Sequence, residues 1–287
     1  MSFEAPLGLC RFAIRLSYAG TDFCGWQTQK GSAASGAPSI QDTINTALRQ
    51  ITRVSDAKVI GSGRTDAGVH ALAQVAHTDL PDQPVARGKD FTEILANGLN
   101  GTLPASIRII AVRRVSPKFH AQHSAKKKQY SYYFQQGSTA LPHLSPFSWW
   151  IRLPLDQARM NDALKPLIGE HDFKPFQASG ANPGPTIRTV YEAEVTQVTP
   201  TFPNEHAPLG VSLLRFRIVG SGFLKQMVRG IAGTLLQVGE GYRPPSCIQD
   251  ILNTQIRRSV GPTAPARGLW LERVWYEEPE LSLPAIT

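Results

Sequence analysis

The chain has 287 residues, enough for two domains or for one large domain built from two halves. Hydrophobic residues make up 41% and charged residues 18%, which excludes a largely disordered chain, and the formal charge of +8 fits either a polyanionic partner or a solubility feature. The three cysteines form no C-x-x-C pair and no apolar run approaches roughly 20 residues, which argues against a disulfide framework, a zinc site and a membrane span.

The first elements follow a simple order. The first nine residues lack the basic start and apolar core of a signal peptide, so we expect a cytoplasmic protein. Residues 11–18 alternate between apolar and polar side chains and predict a half-buried strand. Ser39 and Asp42 resemble a capping box and open a predicted helix. Strands at 57–60 and 71–77, a helix at 91–99 and a strand at 107–115 complete a ferredoxin-like order.

The second half repeats this rhythm of strands and helices. A helix is predicted at 155–168, with Asp156 near its cap, followed by strands at 186–198 and 211–219. A long helix at 223–238, a short helix at 248–254 and a last strand ending at Tyr276 close the chain. Residues 29–38 are small and polar and predict a linker or a mobile loop, and the glycine- and proline-rich residues 177–185 predict a mobile loop. Residues 79–90 predict a connection.

A glycine-rich loop at residues 61–71 (GSGRTDAGVHA) separates two predicted strands and holds Arg64 and Asp66. Asp66 has two interpretations: a turn residue, since Asp bonds backbone two residues on, or a reactive carboxylate held between strands. The loop does not match a dinucleotide fingerprint, because Asp66 stands where the third glycine belongs. It is no P-loop either, because no Gly-Lys-Ser/Thr follows. We therefore expect no nucleotide cofactor.

Basic and aromatic residues alternate in residues 126–133 (KKKQYSYY). The lysines are either a solvated turn or part of a surface where RNA phosphates bind and bases stack. Tyr130 is either a core tyrosine or a stacking residue. His120 and His123 lack a second pair of ligands, so we expect no metal site. Arg229 lies in an apolar helix, where it either pairs with a carboxylate or reaches solvent along the helix surface.

Taken together, these strings resemble the tRNA pseudouridine synthase A family. The matching stretches are residues 18–27 (YAGTDFCGWQ), 63–70 (GRTDAGVH), 128–132 (KQYSY), 169–176 (GEHDFKPF), 222–230 (GFLKQMVRG) and 264–271 (APARGLWL). The resemblance covers roughly residues 12 to 276. Ala19 replaces an Asp common in the family, and Gln122 stands where the family usually has Arg.

The resemblance implies a fold and a set of site residues. The implied fold is α+β: two ferredoxin-like halves share a mixed, mostly antiparallel central sheet with helices packed on it. Residues 10–118 would form the N-terminal half with the catalytic loop, and residues 119–278 the half that completes the sheet and the cleft. By resemblance Asp66 is catalytic, Tyr130 packs against the target base and Arg229 contacts Asp66. Arg64 would fill the vacated space or hold a phosphate, and the RNA backbone would contact Lys126, Lys127 and Lys128.

The resemblance also implies an activity. The enzyme would isomerise uridine to pseudouridine at positions 38, 39 and 40 of the tRNA anticodon stem-loop. It would act as a homodimer, would need no cofactor or metal ion, and would not associate with a membrane. Two alternatives stay open. One is a tRNA-binding protein of the same fold that has lost catalysis, and the other is an enzyme that binds a nucleotide cofactor at the glycine loop.

Overall fold

The computed structural model describes residues 4–27, 36–81, 90–181, 183–198 and 211–277. The chain forms two compact units, one of residues 1–126 with 271–287 and one of residues 127–270. Each unit combines β-strands with α-helices, which confirms the predicted α+β class. The predicted division into residues 10–118 and 119–278 concerns functional halves and stays a prediction.

The first unit has the predicted ferredoxin-like order. Its elements are β1 (Leu9–Tyr18), α1 (Ile40–Thr52), β2 (Ile60–Gly61), β3 (His70–Pro81), α2 (Phe91–Thr102) and β4 (Ile107–Val115). β1 lies between β3 and β4 and pairs antiparallel with both, so that Ile14 faces Ala76 on one side and Val112 on the other. β2 pairs antiparallel with β3. The last strand, β10 (Leu269–Trp275), lies beside β3, and its residues from Leu271 onward belong to this unit.

Local sequence explains why these elements form. Ser39 caps α1 by accepting a hydrogen bond from the Asp42 N–H at 3.0 Å, as the capping-box pattern predicts. The apolar side of β1 is buried as predicted, and Phe12, Ile14 and Leu16 are all nearly inaccessible. The other side of β1 differs from the expected half-exposed surface at two positions, Arg11 and Ala13. Arg11 is also buried there, because its guanidinium pairs with the Asp79 carboxylate at 2.7 and 2.8 Å.

The second unit holds the remaining elements. These are β5 (Lys127–Gln136), β6 (Trp149–Ile151), α3 (Gln157–Leu164), β7 (Gly169–Asp172), β8 (Ile187–Val198), β9 (Ser212–Gly220), α4 (Met227–Gly239) and α5 (Cys247–Thr254). The strands lie in the order β5-β9-β8-β7, all antiparallel, and β6 pairs parallel with β5. Asp156 caps α3, as its sequence position predicts, by accepting from the Arg159 N–H.

Helix α4 begins four residues later than predicted. Gln226 has a φ of +59°, a left-handed conformation that separates Phe223 and Leu224 from the helix. The helix is buried on most of its surface and packs against residues 260–264 through small residues. A Cβ at Gly233 would lie only 1.6 Å from the Pro262 carbonyl oxygen, so this contact requires glycine.

Several predicted loops extend beyond the described residues. The undescribed parts are residues 29–35 of the loop at 29–38, residue 182 of the loop at 177–185 and residues 82–89 of the connection at 79–90. Among the residues that the structure does describe, no helix combines the length and the apolarity that a bilayer crossing needs.

Candidate active site

Asp66 lies in a tight turn between β2 and β3. The Val69 N–H donates to the Asp66 carbonyl at 3.2 Å, and Gly68 takes a φ of +77°. Backbone groups therefore close the turn, while the Asp66 residue is half-buried. Arg64, two residues earlier, is exposed. The glycine at position 68 has a clear physical role, because a side chain with a Cβ rarely adopts this φ.

The loop after β1 holds this turn from one side by direct backbone contact. The Trp26 N–H donates to the Thr65 carbonyl at 3.0 Å. A Cβ at Gly25 would lie 2.7 Å from that same carbonyl oxygen and 3.1 Å from both the Asp66 carbonyl carbon and the Ala67 nitrogen. Gly25 also has a φ of +108°. Glycine at this position thus lets the two loops touch backbone to backbone on both sides of Asp66.

A second contact fixes the end of the turn that carries Asp66. The Gly20 N–H donates to Nδ1 of His70 at 3.0 Å, and a Cβ at Gly20 would lie 2.0 Å from the Val69 carbonyl oxygen. His70 is fully buried. The histidine at the end of the GRTDAGVH string is therefore an acceptor for the neighbouring glycine loop.

Buried side-chain hydrogen bonds hold the start of the turn. The hydroxyl groups of Tyr18 and Thr65 lie 2.8 Å apart. Burial raises the pKa of Tyr18 to about 12, so the hydroxyl is protonated at neutral pH. The Gln74 amide accepts from the Ser62 hydroxyl at 2.6 Å and donates to the Gly63 carbonyl at 3.0 Å. Residues on both sides of Asp66 thus have fixed positions in the folded unit.

Tyr130 lies on β5 in the second unit and is largely buried. Its ring meets that of Phe223 edge-on, with 5.2 Å between the centroids and 85° between the planes. Phe223 precedes α4 and is available for this contact because the left-handed Gln226 starts the helix after it. Sequence reasoning placed Phe223 in the helix and so missed this aromatic pair.

The three lysines differ in their surroundings. Lys126 belongs to the first unit and pairs with Glu277 at 2.7 Å, with both side chains exposed. The Lys127 ammonium lies 4.6 Å from the centre of the Tyr191 ring. Lys128 is half-buried, and burial together with the nearby Arg188 lowers the pKa of its ammonium to about 8. Arg188 carries no sequence signal of its own, and it lies on β8 opposite His171 of β7.

Arg229 lies in the first turn of α4 and is half-buried. Its Nε donates to the Ala264 carbonyl at 2.7 Å, and the Ala264 N–H donates back to the Arg229 carbonyl at 3.1 Å. One guanidinium nitrogen is therefore tied to the segment that leads to β10. The hydroxyl of Tyr132 holds the next residue of that segment, because it donates to the Pro265 carbonyl at 2.9 Å.

Histidines 77, 120 and 123 lie in a row in the first unit, with ring centroids 4.7 and 4.4 Å apart. Nδ1 of His77 accepts from the Ala121 N–H, and Nδ1 of His120 accepts from the N–H groups of Gln122 and His123. These nitrogen lone pairs are engaged with backbone. Within the described ranges, no group of three or more His, Cys, Asp or Glu side chains is placed to hold a metal ion.

The predicted site residues thus fall into two sets. Asp66, Arg64 and Lys126 belong to the first unit, and the turn that holds Arg64 and Asp66 is organised by the loop after β1. The second unit contains Tyr130, Arg229, Lys127 and Lys128. Sequence reasoning missed the roles of Thr65, Gln74 and Phe223, which depend on contacts between distant parts of the chain. Thr65, Phe223, Tyr18 and Trp26 had a signal, because they stand in strings that resemble the family, whereas Gln74 had none.

Comparisons with known proteins show the family of this chain. The model of the family described as tRNA pseudouridine synthase matches residues 14–124 and 163–277. The tRNA pseudouridine synthase A of Geobacillus kaustophilus is 38% identical over 268 residues, which cover 93% of this chain and 95% of that protein. The protein of the same name from Levilactobacillus brevis is 34% identical over 269 residues, covering 93% and 94%. The chain therefore belongs to the tRNA pseudouridine synthase family of isomerases.

Proposed function

We propose that this chain isomerises uridine to pseudouridine in the anticodon stem-loop of tRNA, at positions 38, 39 and 40, with Asp66 as the catalytic carboxylate. The main support is the turn that carries Asp66. Backbone contacts from Gly25 and Trp26 hold the residues on either side of it, as a reactive group requires. Family membership supports tRNA as the substrate.

The reaction needs a carboxylate and no redox agent. The bond between ribose C1′ and uracil N1 breaks, the detached uracil rotates, and a bond forms between C1′ and C5. The C5 proton is lost and N1 gains a proton, so atoms and electrons balance without an added reactant. Asp66 would act as the nucleophile at the ribose or as the base that removes a ribose proton.

The other site residues would serve the same uridine. The target nucleotide must leave the base stack, which costs a few kcal/mol. Tyr130 would pack against the base, and its edge-on contact with Phe223 holds the ring in one orientation. Arg229 would favour the ionised form of Asp66, since a nearby guanidinium stabilises a carboxylate. Arg64 is exposed, as a residue that fills the vacated stack or holds a phosphate must be.

The lysines would contribute in different ways. Lys127 and Lys128 would contact the RNA backbone, and the Lys126 ammonium would exchange its exposed pair with Glu277 for a phosphate. We further propose a cytoplasmic homodimer. We also propose the division into a catalytic-loop half at 10–118 and a second half at 119–278.

The experiment compares Asp66→Asn with Asp56→Asn, which changes an exposed carboxylate of the same unit. Tritium release from tRNA labelled at uracil C5 reports the reaction, and filter binding reports tRNA affinity. We expect Asp66→Asn to release no tritium while binding and folding stay close to those of the native protein. Asp56→Asn should match the native protein in all three. Native-rate tritium release by Asp66→Asn would show that another residue performs the chemistry.

The same assay separates the enzyme from a tRNA-binding protein that has lost catalysis. Such a protein would bind tRNA and release no tritium even with Asp66 intact. Sedimentation of the purified chain, alone and with tRNA, tests the homodimer.

A further inference from the structure

A cavity of about 430 Å³ lies in the second unit beside the first turn of α4. Its lining residues are Phe176, Gln226, Gly230, Arg257, Arg258, Val260, Gly261 and Thr263. This volume falls within the range of about 300–1,000 Å³ that is usual for small-molecule sites. None of the proposed roles of Asp66, Tyr130 or Arg229 uses these residues.

Glycine keeps the floor of the cavity open. A Cβ at Gly230 would meet Val260 Cγ1 at 3.4 Å and Phe176 Cδ1 at 3.7 Å, so any larger side chain would extend into the space that these residues border. Gly261 lies against α4 on the other side, where its N–H donates to the Thr234 hydroxyl at 2.9 Å. The cavity is thus formed by fixed backbone and apolar walls.

The charged side chains that line the cavity are all positive. The eight described residues that line it include two arginines and no carboxylate. Both arginines are exposed in the 3-10 turn Arg257–Ser259, and the guanidinium of Arg257 donates to the Pro175 carbonyl at 3.3 Å. Since a guanidinium has five N–H donors, most of those on Arg257 stay available to a ligand.

This combination of chemistry fits a nucleotide. A planar guanidinium pair suits a phosphate, which it can bind through two parallel hydrogen bonds. Gln226 offers both a donor and an acceptor, which suits a base edge or a ribose 2′-hydroxyl. Phe176 and Val260 give the cavity apolar walls of the kind that cover a base or sugar.

We propose that this cavity binds one nucleotide of the substrate RNA other than the isomerised uridine, with Arg257 and Arg258 on its phosphate and Gln226 on its polar edge. This inference rests on the proposed function, because the ligand is part of the RNA on which the enzyme acts. Arg257 and Arg258, which it assigns to RNA binding, lie outside the strings that resemble the family, while Gln226 lies within one of them.

The test compares two double variants that each remove two positive charges. Arg257→Ala/Arg258→Ala removes both guanidinium groups, and the control Arg152→Ala/Lys165→Ala removes two exposed cations elsewhere in the same unit. The probe is an unmodified tRNA transcript, titrated at several salt concentrations. We expect the cavity variant to bind at least tenfold more weakly than the control. The slope of log affinity against log salt should fall by about 0.7 for each phosphate of single-stranded RNA that the variant no longer neutralises.

A third variant separates the cavity from its charge. Thr263→Trp keeps both arginines and places a bulky ring on an exposed lining position. We expect it to weaken tRNA binding as well, while Thr254→Trp, an exposed position outside the lining, should bind like the native protein. Tritium release at saturating tRNA should fall by no more than about threefold in the arginine variant, because the defect lies in affinity.

The outcomes are distinct. If the arginine variant matches its control in affinity and salt slope, or if Thr263→Trp binds like the native protein, the cavity holds no RNA nucleotide. Such a result leaves the proposed function standing as long as the native protein releases tritium. Absence of tritium release from the native protein refutes the proposed function itself.

Discussion

Replacement of Gly25 by Ala tests how the loop after β1 positions the turn that carries Asp66. The new Cβ would lie 2.7 Å from the Thr65 carbonyl oxygen and 3.1 Å from two backbone atoms of Asp66 and Ala67. All three are backbone atoms, so no flexible side chain can move aside. Either the turn shifts, which displaces Asp66, or the loop after β1 moves away from it.

The size of the effect follows from two separate costs. A φ of +108° disfavours alanine by roughly 1–2 kcal/mol. The steric conflict with backbone adds about 1–3 kcal/mol, as overpacking in a core does. Gly8 provides the matched control, because its φ is +82° and nothing lies within 4 Å of its added Cβ. Gly8→Ala should therefore be destabilised only by the unfavourable backbone conformation, without the steric cost.

Two measurements give the result. Chemical denaturation should show a free energy of unfolding that is about 2–5 kcal/mol lower for Gly25→Ala and about 1–2 kcal/mol lower for Gly8→Ala. Tritium release by folded Gly25→Ala should be roughly 100-fold slower, since a shift of about 1 Å in a reacting group has that effect. Gly8→Ala should react at the native rate. If the two variants lost equal stability and both reacted at the native rate, the loop contact would not position Asp66.

Three further predictions follow from buried groups. Burial beside Arg11 lowers the pKa of His77 from 6.5 to about 4. The neutral imidazole therefore contributes its full stabilisation above pH 6.5, and the free energy of unfolding falls by at most about 1.4 kcal/mol per pH unit as the pH drops toward 4. Denaturation of His77→Gln should lack this pH-dependent loss of stability. Because the pKa of the Lys128 ammonium is about 8, it loses its charge between pH 7 and 9, and tRNA affinity should fall over that range. Lys128→Arg, which stays charged, should remove this pH dependence. Equal pH profiles of tRNA affinity for the native protein and the variant would exclude a phosphate contact. Tyr18→Phe should lower the free energy of unfolding by about 1–2 kcal/mol, because it removes the buried hydrogen bond to Thr65; an unchanged denaturation midpoint would contradict this.

Much of the fold could be predicted because local patterns and tertiary structure agree. The alternation in β1 and the Ser39 cap of α1 depend on neighbouring residues, and both are confirmed. The start of α4 was wrong because the left-handed Gln226 leaves no mark in a helical apolar pattern. Strands β6 and β7, at Trp149–Ile151 and Gly169–Asp172, were missed because runs this short take their conformation from the strands beside them.

The sequence predicted the individual site residues, but it did not predict the contacts that hold them in position. The string around Asp66 was recognisable, and its role stays a prediction. The need for Gly25 could not be read from its neighbours, because the atoms it must avoid lie about 40 positions further along the chain. The lowered pKa of Lys128 likewise depends on Arg188, a residue on another strand.

The close packing of α4 has a consequence for residues 260–264. This stretch has no strand or helix of its own, yet the Gly261 N–H donates to the Thr234 hydroxyl and the Ala264 N–H to the Arg229 carbonyl. The amides of Gly261 and Ala264 are therefore protected by a helix, which links this irregular stretch to the local stability of α4. One wall of the cavity beside α4 is consequently preorganised, and a ligand that enters it loses little affinity to the ordering of the protein.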